Sequence, residues 1–94
     1  MKTIFVTFDN KSKYAFNTKF EVSVGDILRS PAYGNRKMIV TDICNKAYTY
    51  YNSTTGNLSD ELNSTKQGKI KELILLDNSC AKAVYCTKES IYIL

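Results

Sequence analysis

Residues 3–8 alternate, and this is the local rule that most limits what the chain can fold into. Ile4, Val6 and Phe8 fall on one side of an extended backbone, and Thr3, Phe5 and Thr7 fall on the other. Successive side chains of a strand point to opposite faces, and β-branched and aromatic residues fit a pleated surface. This period of two therefore predicts a strand. The polar run at 9–13 supplies a turn, because Asp9 and Asn10 tolerate a tight backbone and the lysines solvate it. Tyr14, Ala15 and Phe16 open a second strand, so the first two segments predict a hairpin.

The same grammar continues. Phe20, Val22 and Val24 alternate with Lys19, Glu21 and Ser23 and predict a strand interrupted at Gly25-Asp26. Ile27 and Leu28 resume it, and Pro31 ends it, since proline cannot donate to a ladder. Residues 37–44 predict the next strand. A plain alternation there puts Met38, Val40 and Asp42 on one face and Ile39, Thr41 and Ile43 on the other. Tyr48, Thr49, Tyr50 and Tyr51 form an aromatic strand segment. Residues 52–68 are dominated by Ser, Thr, Asn and Gly and read as one long polar loop, with room for a helical turn begun at Asn57. Residues 72–76 favour a strand over a helix, although Ile70, Leu73 and Ile74 also carry helical spacing. Residues 83–86 and 91–94 are two further apolar pieces, the last able to close a cylinder.

Six or more short strands, with turn signals every 8–12 residues or so, predict a mainly β fold: a small SH3-like barrel in one domain over residues 1–94. Closure removes exposed edges. The charged fraction of 23% is that of a globular protein and not of a disordered one. No apolar run reaches the roughly 18–20 residues that span a bilayer, and the first residues lack the apolar stretch of a signal peptide. The expected compartment is the cytoplasm, with no membrane contact.

Cys44, Cys80 and Cys86 are odd in number and have no C-x-x-C spacing, so neither a disulfide framework nor a zinc site is indicated. They read as small apolar residues. The chain has no histidine, which removes the commonest general base, metal ligand and nucleophile partner. Asp9, Asp26 and Asp42 lie in separate segments without metal-site spacing and read as turn or solvated residues. No enzyme and no cofactor are expected.

The net charge of +4 is unevenly placed: residues 1–46 hold eight cations against four carboxylates, and residues 47–94 hold five of each. A local positive field attracts phosphates, and the same charge also serves solubility. Lys11, Lys13, Arg29, Arg36 and Lys37 are the candidate phosphate contacts. Tyr33, Tyr48, Tyr50 and Tyr51 are candidate stacking aromatics, although tyrosines also serve ordinary sheet packing. Arg36 and Lys37 follow Gly34, where a backbone can come close to a phosphate.

The run from Tyr14 through Gly25, Pro31, Tyr33, Gly34, Arg36 and Lys37 into the apolar strand at 38–40 resembles the N-terminal domain of the replication-restart primosomal helicase. Residues 70–79 are similar to the strand that closes that domain. The resemblance implies a small β-barrel that binds the 3′ end of nascent DNA. Lys13 stands where that family places the acidic residue of its end-binding pocket. No G-x-x-x-x-G-K-[ST] motor motif is present, so the implied activity is binding without unwinding. Small β-barrels of phage and plasmid origin share the pattern. A second expectation is accordingly an accessory protein of a mobile element that binds and inhibits a host protein. A strand edge or the 52–68 loop would serve as its surface, and a homodimer through that edge is open as well.

Overall fold

The two alternating segments at the N-terminus pair as the hairpin predicts. In the computed structural model, which describes residues 1–19, 21–29, 33–34, 36–75 and 84–86, β1 (Lys2–Thr7) and β2 (Lys13–Thr18) are antiparallel, with Thr7 opposite Lys13. Asp9 closes the turn: its Oδ1 accepts the backbone N–H groups of Lys11 at 2.9 Å and Ser12 at 3.1 Å. Asn10 takes the left-handed φ of 64° that Asn tolerates better than most residues.

β3 (Ile27–Leu28) pairs antiparallel with β4 (Met38–Ile43), and β4 pairs antiparallel with β1. The chain then leaves this sheet. β5 (Tyr50–Asn52), β6 (Asn57–Ser59) and β7 (Gln67–Lys69) build a second, three-stranded sheet with β5 in the middle. β8 (Lys71–Leu75) returns to the first sheet parallel to β2, and β9 (Val84–Cys86) lies antiparallel against β8. The six-stranded sheet has the order β3-β4-β1-β2-β8-β9 and curls into a half-barrel. The described chain is mainly β and contains no helix able to cross a membrane.

The inner face of the curl carries the core. Ile4 and Val6 of β1, Phe16 of β2, Leu28 of β3, Met38 and Val40 of β4 and Leu73 of β8 form one buried cluster, with Phe8, Val22, Tyr33 and Ile43 packed against it. Full burial of one such aliphatic side chain is worth about 1.5–3 kcal/mol.

β1 is also covered on its outer face. Thr3 and Thr7 are buried, and Phe5 meets Tyr51 edge to face at 5.3 Å. Thr3 is the polar anchor. Its Oγ1 donates to Asn17 Oδ1 and accepts the Tyr48 N–H at 2.8 Å, while Asn17 Nδ2 donates to the Tyr48 carbonyl at 2.8 Å. These bonds seat the start of the second sheet on the β1–β2 hairpin. Thr3→Val keeps the volume and orphans the Tyr48 N–H, so it is expected to cost about 1–3 kcal/mol. The loss would be read as a lower urea midpoint at unchanged slope. An unmoved midpoint would show that the hydroxyl is dispensable.

Four expectations change. First, residues 21–23 form no ladder. Ser23 to Asp26 is a turn of type II pattern, with Gly25 at φ 96°, Asp26 N donating to Ser23 O at 3.0 Å and Ser23 N donating to Asp26 Oδ2 at 2.9 Å. Val22 reaches the core without a strand.

Second, β4 does not alternate simply. A bulge between the Phe5–Asp42 and Val6–Val40 pairings inserts Thr41, so Ile43 falls opposite Ile4 on the core side. Asp42 is thereby turned out to solvent, where it meets Lys13.

Third, residues 52–68 are not one long loop. They hold β6 and the start of β7, and no helical turn begins at Asn57. Asn52 Oδ1 accepts from Thr54 N and Thr55 N, and Gly56, at φ 78°, donates its N–H to the Asn52 carbonyl at 2.7 Å. Polar composition here builds a hairpin turn, because side-chain oxygens take up the backbone donors of the turn.

Fourth, the aromatic strand lies two residues later than its sequence pattern, at β5. β8 and β9 fall where strands are expected. Pro31, Leu76, Cys80, Ala83 and the closing strand at 91–94 lie outside the described residues. Cys44 is a half-buried free thiol.

Candidate nucleic-acid interface

β2 and β8 stay together only over Phe16–Thr18 and Lys71–Leu73. Before that contact the chains diverge. The first half of β2 remains in the curled sheet, while β7 belongs to the second sheet. A groove of about 1090 Å³ opens at this fork. Ala15, Phe16 and Ile70 lie at its junction, and the two sheets make its walls.

Among the described residues six cations line the groove: Lys11 and Lys13 from the hairpin, Arg36 from the stretch between β3 and β4, and Lys66, Lys69 and Lys71 from the β7–β8 side. No carboxylate is among the described residues that line it. Lys11, Arg36, Lys66 and Lys69 form no ion pair within the described residues. Lys13 is engaged, its Nζ 2.7 Å from Asp42 Oδ2. Both partners of that pair are about half exposed, so it contributes little to stability and leaves Lys13 able to exchange partners.

The hairpin wall is aromatic as well as basic. Phe8 meets Tyr14 edge to face at 5.3 Å, and Tyr33 packs on Phe8 at 6.0 Å and on Phe16 at 5.6 Å. The Arg36 guanidinium lies 4.6 Å from the Phe8 ring centre, a cation–π contact that holds a planar charge at the groove rim. Tyr14 is 46% exposed and is, among the described residues, the aromatic most open to a ligand. Tyr51 contributes from the opposite sheet.

The groove thus collects five of the nine residues singled out from sequence, namely Lys11, Lys13, Tyr33, Arg36 and Tyr51. Arg29 and Lys37 are exposed beside β3 and β4 and do not line it. Tyr48 and Tyr50 are half-buried elsewhere, Tyr48 beneath the Lys46 ammonium at 4.9 Å. The cationic surface is not built from the front half of the chain alone. Half of the groove's cations come from 66–71, because β8 returns to β2. The visible signal was the spacing "KQGKIK", three lysines in six residues, inside a stretch whose polarity reads as a loop.

The aspartates have local duties, and among the described residues no three His, Cys, Asp or Glu side chains converge. The Lys13 ammonium, and then the Thr41 hydroxyl, hold the Asp42 carboxyl below its ordinary value of 3.8. Backbone N–H groups of Lys11 and Ser12 lower Asp9 in the same way, and Lys46 lowers Asp60. A carboxyl depressed in the folded state adds stability that is complete above its unfolded value and is lost as pH falls through the folded one. The thermal midpoint is therefore expected to decline as pH drops below the ordinary carboxylate range. Asp42→Asn should decline less over that window. An equal decline in both proteins would remove Asp42 from the linkage.

No protein-family model, no curated protein and no solved structure matches the chain.

Proposed function

We propose that this chain is a non-catalytic binder of single-stranded nucleic acid, and that the forked groove is its site. The observation that carries this reading is the lining: six cations, exposed Tyr14 and no carboxylate among the described residues. Four of these cations, Lys11, Arg36, Lys66 and Lys69, form no ion pair within the described residues and can take phosphates, and unpaired bases need aromatic faces, each stacked base being worth about 1–3 kcal/mol. A duplex hides its base faces and has no use for Tyr14 and Tyr33. The turn pattern shared with the primosomal helicase domain points to the same class of ligand.

The test is a fluorescence titration with a labelled oligothymidylate over a series of salt concentrations. Affinity should fall steeply, with a slope of about −0.7 per phosphate neutralised. A duplex competitor should displace the strand poorly.

A second reading has its own observation. Lys13, Tyr14 and Ala15 pair with β1 on one side, and no described strand pairs with them on the other. An extended segment of a host protein can add there as a strand, which suits an inhibitory accessory protein of a mobile element. No oligonucleotide binding at low salt would favour it.

A further inference from the structure

Gly68 sits in the middle of β7, on the groove wall, and nothing in the free fold asks for glycine there. Its φ lies outside the left-handed region, so any residue can adopt its backbone. A Cβ built on it meets no atom of the described residues within 4 Å, so their packing does not exclude a side chain. Glycine in a strand interior is unfavourable, and it recurs where another backbone or a ligand comes close. The direction of that open space follows from register. Gly68 is directly opposite Tyr51, and residues directly opposite share a face of the sheet. Tyr51 leans on Phe5 and lines the groove, so the missing Cβ of Gly68 leaves room on that same side.

We propose that β7 at Gly68 is a close-approach subsite for the sugar–phosphate backbone of a single strand, resting on the nucleic-acid reading of the groove. Lys66, in the turn just before β7, takes the phosphate beside the contact, and Lys69, opposite Tyr50 on the alternate face of the strand, adds its charge at the margin. The bare backbone at Gly68 lets the strand lie against β7, and Lys13 and Ala15, opposite Thr7 and Phe5 on the outer face of the hairpin, line the groove across from it. Lys13 joins when a phosphate replaces Asp42. Salt dependence reports the charges, whereas Gly68 acts through shape alone, and the two can be separated.

The experiment is a volume series at position 68, with labelled oligothymidylate as the probe. Gly68→Ala should weaken binding about tenfold, as overfilling a close contact does, and Gly68→Val should weaken it further. The salt slope should stay at the wild-type value, since no charge has changed. The thermal midpoint should hold or rise, because both residues suit a strand better than glycine. Wild-type affinity in Gly68→Ala, with Lys66→Glu still impaired, would overturn the subsite and leave the groove reading standing. A falling midpoint in step with affinity would overturn it as well, by assigning the glycine to folding. Absence of binding by the wild-type chain would overturn both readings.

Discussion

Lys66→Glu combined with Lys69→Glu is expected to abolish measurable binding of a single strand at physiological salt and to flatten the salt dependence. Each lysine that neutralises a phosphate contributes about 0.7 to the slope for single strands. Reversal also places a carboxylate in a groove that has none among its described lining residues. Two neutralised phosphates lost should reduce the slope by about 1.4, and the added repulsion should lower affinity by about two orders of magnitude or more. The matched control is Arg29→Glu with Lys37→Glu. It changes net charge by the same amount, on residues that lie outside the groove. Equal losses in the two double variants would mean that diffuse positive charge and not the groove attracts the strand. Both lysines are exposed, so folding should be unaffected.

Leu73→Ala should be the most damaging single truncation to the fold. Leu73 is fully buried in the core cluster and sits on the strand that binds β2 through only a short parallel ladder. Large-to-small changes at such sites cost about 2–5 kcal/mol, out of the roughly 5–15 kcal/mol that holds a native domain together. At about 4–8 °C per kcal/mol for a chain of this size, the thermal midpoint should fall by roughly 10–40 °C. The functional consequence is specific. β8 anchors the wall that carries Lys66, Gly68 and Lys69, so binding should weaken before global unfolding is complete. An unshifted midpoint would mean that β8 does not pack on β2.

Much of the architecture was legible locally. The alternation at 3–8, the Asp-Asn turn and the Gly25-Asp26 break each act through near neighbours. Period and turn chemistry are properties of a few consecutive residues, so the hairpin, β3, β4 and β8 could be read directly. The short strands β6 and β7 could not be, because they lack a hydrophobic period. Their turns are held by Asn52, and by Gln67, whose Oε1 accepts from Asn63 N and Ser64 N.

The candidate site was half legible for a related reason. Composition alone marked Lys11, Lys13 and Arg36 as basic positions near an aromatic-rich segment. The amino-acid sequence by itself determined which stretches are extended, where they turn and which of their faces are apolar. Only the tertiary structure decided that β8 runs parallel beside β2, that the bulge at Thr41 turns Asp42 outward, and that three lysines of a polar stretch line one groove with Lys11, Lys13 and Arg36. Local periodicity says which way a side chain points from its own strand. It carries no information on which distant strand lies alongside, because that choice depends on the packing of the whole core.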